Sequence, residues 1–158
     1  MIRLREKGFT SIEVVIAIMI ILTLMVFSLD VLEISFKNYA LQGISRNVIR
    51  TLSVQGGVTH NSTITTNELV NMIEVQLENS GMNPQNARAT FNENQSTVPL
   101  NALRNQSFEV GFRETVFFRI EVDHEWHFAR WVGLEQTTTF SAQKQGVSEH
   151  YRPGGEGW

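Results

Sequence analysis

The fold is decided by a stretch near the start of the chain, KGFTSIEVVIAIMIILTLMVFSL, residues 7–29. After Glu13, its only polar side chains are those of Thr23 and Ser28. A helix rises about 1.5 Å per residue, so residues 9–29 would span roughly 30 Å, the thickness of a bilayer's hydrocarbon core. The stretch therefore predicts a transmembrane helix, which we place at residues 9–30.

The residues before this segment are basic, because Arg3, Arg5 and Lys7 outnumber the single acid, Glu6. Since positively charged flanks stay in the cytoplasm, the sequence predicts a single-pass protein of the cell membrane. Its N-terminus would be cytoplasmic and its C-terminal domain extracytoplasmic.

Glu13 is the exception within the apolar run. A carboxylate inside such a segment costs roughly 3 kcal/mol by insertion scales, which favours a functional role with a partner.

The spacing of Gly8, Phe9 and Glu13 relative to the apolar run is that of a class III signal sequence. This stretch therefore resembles type IV pilins and pseudopilins. The resemblance implies that a prepilin peptidase cuts between Gly8 and Phe9, removes the leader (residues 1–8) and methylates the new amine of Phe9. It also implies that Glu13, the fifth residue after the cut, is needed for assembly with other pilin-like subunits at an assembly platform.

This register has a physical reason. Once the chain is cut, Phe9 carries a free amine, and Glu13 of a neighbouring subunit can neutralise it among packed helices. One buried charge left without the other would cost several kcal/mol, so the pair would enforce the stagger between subunits. Register, more than affinity, is the role that we expect of Glu13.

Two other interpretations of the N-terminal segment stay open. An ordinary secretory signal peptide needs a small-x-small cleavage site after the apolar run, and residues 27–32, FSLDVL, offer none. An uncleaved signal anchor would instead hold an extracytoplasmic binding domain that never polymerises. In that case Glu13 would sit at the headgroup boundary beside Thr10 and Ser11.

The composition limits the remaining possibilities. The chain has 158 residues, no cysteine and a formal net charge of −3. This length suffices for one long helix and one modest domain. Without cysteine there can be no disulfide, and the negative net charge argues against direct nucleic-acid binding.

Beyond the membrane segment, the sequence predicts three further parts. Residues 31–55 form an amphipathic extension of the first helix, with apolar side chains at helical spacing, and Gln55-Gly56-Gly57 ends it. An α+β extracytoplasmic head follows at residues 56–146, beginning with a loop at 56–64, and a flexible tail covers 147–158. The buried face of the extension is predicted to be Leu41, Ile44, Val48 and Leu52.

The head begins with a second, short helix. Thr65 and Glu68 have the spacing of a capping box, and Gly81 followed by Pro84 gives a stop. The buried stripe of this helix is predicted to be Leu69, Ile73 and Leu77.

After this helix, the hydrophobic period changes from helical spacing to two. Alternation at residues 108–112 and 116–122 predicts antiparallel strands, with two more strands at 88–91 and 133–140. Helices followed by strands indicate an α+β domain with a small antiparallel sheet.

The middle of the chain is similar to a narrower group of pilin relatives. The segments are YAL (39–41), NVIR (47–50), GG (56–57) and GMNP (81–84). They resemble an uncharacterised pilin-like family found beside conjugation and secretion genes of Gram-positive bacteria, and the layout is similar to minor pilins of tight-adherence (Tad) systems. The resemblance implies a structural, non-enzymatic subunit.

One polar constellation suggests an enzyme, DHEWH at residues 123–127. On a strand, His124 and His127 would face opposite sides and could not converge on one metal ion unless the backbone turned between them, and a third ligand would be lacking. No nucleophile elbow or phosphate-binding loop occurs elsewhere. We therefore expect no catalytic residue, no cofactor and no metal site.

Overall fold

The computed structural model describes residues 11–58, 62–104, 106–131, 133 and 136–149. The predicted leader (residues 1–8), the predicted cleavage residues Gly8 and Phe9, and residues 150–158 of the predicted tail lie outside these ranges. The described chain is an α+β protein with a long N-terminal helix, a shorter second helix and small antiparallel sheets, as the sequence predicts.

The first helix, α1 (Ser11–Gln55), is continuous for 45 residues, about 68 Å at 1.5 Å per residue. Among the described residues, it is the one helix that is long and apolar enough to span a membrane. Its first half is exposed, whereas its second half packs against the head. The four side chains predicted for that packed face are all buried: Leu41, Ile44, Val48 and Leu52.

The second helix, α2 (Thr66–Asn79), has the predicted capping box. The Glu68 amide donates to the Thr65 hydroxyl, and the Thr65 amide donates to the Glu68 carboxylate. Gly81 follows the helix with a φ of +70°, a left-handed conformation that favours glycine. The predicted stripe is buried at all three positions: Leu69, Ile73 and Leu77.

The main sheet has four antiparallel strands in the order β3-β2-β5-β6. Two long strands, β5 (Thr115–Glu125) and β6 (Thr137–Val147), pair along their whole length and lie against α1. A smaller sheet pairs β1 (Gly57–Val58) with β4 (Phe108–Glu109). The remaining elements are β2 (Ala87–Thr90), β3 (Val98–Pro99), the helices α3 (Leu100–Leu103) and α4 (His127–Trp131), and a 3₁₀ turn (Pro84–Asn86).

Three boundaries differ from the sequence prediction. The strand expected at 108–112 is paired only at Phe108–Glu109, and part of the expected loop at 56–64 forms β1. The last strand was expected at 133–140 but extends to Val147, where the predicted tail begins. The second half of this edge strand is polar because it buries only Ala142. At Gly146 the strand approaches α1 so closely that an added Cβ would lie 2.8 Å from Ile49 Cγ2.

Two glycines provide a matched test of backbone conformation. An added Cβ would meet no atom within 4 Å at either Gly43, inside α1, or Gly81, which has a positive φ. Gly43→Ala should therefore raise the free energy of unfolding by about 0.5–1 kcal/mol, since alanine favours a helix. Gly81→Ala should lower it by about 1 kcal/mol or more through backbone strain. Urea unfolding of the detergent-solubilised chain measures both changes, and a lower midpoint for Gly43→Ala would contradict the first.

Candidate functional site

The first candidate surface is the apolar half of α1. The large hydrophobic side chains of this segment are exposed, with fractions such as 70% for Ile12 and 61% for Met25. A contiguous apolar surface of this size is not stable in water and requires lipid or other helices around it. The exposed side chains are Ile12, Val14, Val15, Ile16, Ile18, Met19, Ile20, Ile21, Leu22, Leu24, Met25, Phe27, Leu29, Val31 and Leu32.

Glu13 lies in the first turn of α1, at the N-terminal end of this apolar surface. Its side chain is exposed on the helix, with Ile12 and Val14 as exposed neighbours in sequence. The other two predicted site residues, Gly8 and Phe9, lie outside the described residues. The relation between Glu13 and the cleavage site therefore stays a prediction from the sequence.

The second candidate is a polar cluster where α1 meets the head. We call it the neck cluster and define it as Asp30, Glu33, Lys37, His124 and His127. The first three are spaced by three and four residues, so they lie on one face of α1. The two histidines come from the end of β5 and the start of α4.

The sequence analysis allowed His124 and His127 to converge only if the backbone turned between them, and the structure has this turn. β5 ends at Glu125, the Trp126 amide donates to the Gln136 carbonyl at 3.2 Å, and α4 begins at His127. The imidazole ring centroids consequently lie 6.1 Å apart. The strand spacing used in the sequence analysis does not apply across this turn.

The cluster is held together by short contacts among its side chains. Lys37 Nζ lies 2.5 Å from Glu33 Oε1 and 3.3 Å from His124 Nδ1. His127 Nδ1 lies 3.4 Å from both Asp30 Oδ1 and Glu33 Oε2. The neck cluster therefore connects α1 to the head through polar contacts of the two histidines.

Asp30 fixes α4 against α1. Its carboxylate is almost fully buried, and its Oδ2 accepts a hydrogen bond from the Phe128 amide at 2.7 Å. The Phe128 ring packs edge-on against Phe27 of α1, with 5.9 Å between centroids. A buried carboxylate is tolerated when its oxygens are hydrogen-bonded in this way.

The surroundings of His124 favour its neutral form. Burial, and then the nearby positive charge of Lys37, lowers the pKa of His124 below its ordinary value. The hydrogen bond from Lys37 likewise lowers the pKa of Glu33, which stays ionised. His124 is 6% exposed, and its Nε2 is buried without a hydrogen-bond partner in the described part of the chain.

A cavity of about 310 Å³ opens beside the neck cluster. Lys37, His124 and His127 line one part of it, and Met82 and Phe140 line another. The cavity therefore adjoins both imidazoles of the neck cluster.

Comparisons of this chain with protein families, curated proteins and solved structures find no match. The functional interpretation therefore rests on the residues of the chain and their geometry.

The sequence analysis missed the neck cluster as a site. Asp30, Glu33 and Lys37 were visible as charges on the extension of α1, and their common helical face was a usable signal. The contribution of His124 and His127 was not visible, since it depends on the turn after Glu125.

Proposed function

We propose that this chain is a pilin-like structural subunit, anchored in a membrane by α1 and assembled side by side with other pilin-like subunits. The observation that carries the proposal is the division of α1: one continuous helix is exposed and apolar in its first half and packed on an α+β head in its second. This division suits a subunit whose helices form the centre of a fibre or pseudopilus and whose heads form the outside. The role is structural and not catalytic.

The apolar half of α1 supports membrane insertion by its length and composition. We infer that the N-terminus is cytoplasmic, since Arg3, Arg5 and Lys7 precede the helix. The head would then be extracytoplasmic, either at the membrane surface or in an assembled pilus.

Leader cleavage would link insertion to assembly. A prepilin peptidase would cut between Gly8 and Phe9, and the N-methylated amine of Phe9 would then meet Glu13 of an adjacent subunit. The place of Glu13 in an otherwise apolar stretch of sequence supports this pairing, because a carboxylate inside a membrane segment carries a cost that favours a functional role. Assembly would proceed at a platform in the membrane.

The competing proposal is an uncleaved signal anchor carrying a binding head that stays monomeric. It uses the same helix and the same head, so only processing and assembly distinguish the two proposals. An anchor retains residues 1–8, whereas a pilin-like subunit loses them.

The intact mass and N-terminal sequence of the protein from its native membrane therefore test the proposal. We expect a chain beginning at Phe9, with one methyl group on its amine. A Gly8→Leu variant should retain residues 1–8, while Ser28→Ala, a change on the same helix but away from the cut, should be processed normally. A wild-type chain that keeps its first eight residues would instead favour the signal anchor.

A further inference from the structure

We propose that the neck cluster is a metal site that binds a divalent transition-metal ion, with Zn²⁺ as the best fit, through Glu33, His124 and His127. Each residue offers a ligand atom, and these atoms all lie within 4.8 Å of one another. The proposal departs from the sequence expectation of no metal site, and it does not depend on whether the chain assembles as a pilin.

The distances in the cluster suit a small ion. With ligand bonds of 2.0–2.1 Å, neighbouring ligands of a tetrahedral Zn²⁺ site lie about 3.4 Å apart. His127 Nδ1 already lies 3.4 Å from Glu33 Oε2, which matches this spacing. The widest ligand pair needs to close by no more than about 1.4 Å, and the His127 side chain, which is 65% exposed, has room to move.

A second observation points to a ligand at the same place. His124 is more than nine-tenths buried, and its Nε2 has no hydrogen-bond partner among the described residues. A buried polar atom without a partner is costly, and a coordination bond to this nitrogen would satisfy it.

Lys37 shows that the cluster attracts a cation. Its ammonium lies within hydrogen-bonding distance of both Glu33 Oε1 and His124 Nδ1. A positive charge therefore already bridges these two groups. A metal ion bound by the same residues would compete with this ammonium. Lys37 would thus weaken metal binding, and its displacement would be part of the binding event.

The donor set selects the kind of metal. Two imidazoles with one or two carboxylates are typical of Zn²⁺ and related transition metals, whereas Ca²⁺ and Mg²⁺ prefer oxygen ligands alone. The cavity lined by His124 and His127, together with the 65% exposed side chain of His127, places the site next to solvent. Because Glu33 belongs to α1 and both histidines belong to the head, the ion would join the membrane-proximal helix to the head.

Titration calorimetry of the full chain with Zn²⁺ tests the site, using detergent-solubilised protein purified through a tag that contains no histidine. We expect one Zn²⁺ per chain and a rise in melting temperature when Zn²⁺ is added. His127→Ala should weaken binding by roughly 100-fold or more, since losing even an outer-shell partner costs roughly 10- to 100-fold. Glu33→Gln should also weaken Zn²⁺ binding.

The chain offers a matched control and a variant with the opposite effect. Glu93→Gln removes an exposed carboxylate outside the cluster and should leave Zn²⁺ affinity unchanged. Lys37→Gln removes the competing ammonium and should tighten binding by about tenfold or more. Because His127 is exposed, His127→Ala should keep the fold, which circular dichroism verifies. The proposal is overturned if wild-type protein binds no Zn²⁺ stoichiometrically, if His127→Ala and Glu93→Gln bind it equally, or if Lys37→Gln binds it more weakly.

Discussion

We expect Glu13→Ala to abolish co-assembly of this chain with its partner subunits while leaving the chain in the membrane. Removing the carboxylate would leave the amine of Phe9 buried among apolar helices without a counter-charge, at a cost of about 3 kcal/mol or more. Each 1.4 kcal/mol is a factor of ten, so subunit association should weaken more than 100-fold. Cross-linking between subunits, or the yield of sheared fibres, measures assembly.

Membrane insertion is the internal control for this experiment. Alanine is more apolar than glutamate, so the Glu13→Ala helix should partition into the membrane at least as well as wild type. Ser28→Ala is a matched change in the same segment, where the serine hydroxyl only donates to the Leu24 carbonyl at 2.7 Å, and it should assemble normally. If Glu13→Ala also assembles normally, Glu13 has no pairing role and the monomeric signal anchor becomes the better proposal.

The elements predicted correctly from the sequence are those with local signals. The apolar run and the helical spacing of residues 41–52 specify α1, and neither depends on distant parts of the chain. The same holds for α2, whose start is determined by the Thr65 and Glu68 capping box and whose end is determined by Gly81. Hydrogen bonds between residues three or four apart depend on nearby residues, so the sequence alone can predict them.

The neck cluster was not predictable in the same way, because it depends on contacts across the fold. The Phe128 amide reaches Asp30 from far along the chain, and α4 docks on α1 only because β5 turns after Glu125. The second half of β6 was missed for a related reason: its pairing with β5 is long-range, and its polar residues show little alternation of hydrophobic side chains.

The neck cluster also lies where α1 changes environment. Asp30 is the first buried residue of α1 in the described chain, directly after the exposed Leu29. Up to this position the helix surface is suited to lipid or other helices, and from Leu41 onward its inner face packs on the sheet. Contacts of Asp30, Glu33 and Lys37 with the head therefore determine how the head sits above the exposed part of the helix.

The largest stability change is expected in the aromatic part of the head core. Phe118 is fully buried in β5, and its ring lies 5.7 Å from that of Phe91, which stacks on Phe108 of β4. These three rings connect the main sheet to the small one. Phe118→Ala should lower the free energy of unfolding of the head by about 3–5 kcal/mol, because it removes buried apolar area and leaves a cavity.

A loss of that size approaches the whole stability of a small domain, so the Phe118→Ala head should be partly or fully unfolded at ambient temperature. The membrane half of α1 should remain helical, since its hydrogen bonds are local and lipid or detergent covers its apolar surface. Urea unfolding followed by tryptophan fluorescence reports on the head, and circular dichroism reports on the helix.

Phe36→Ala is the matched control, because Phe36 is 73% exposed on α1 and its removal should change stability little. Equal unfolding midpoints for the two variants would contradict the placement of Phe118 at the centre of the core. Loss of the head signal with retained helix would instead show that the anchor and the head unfold separately, so that a damaged head can remain in the membrane.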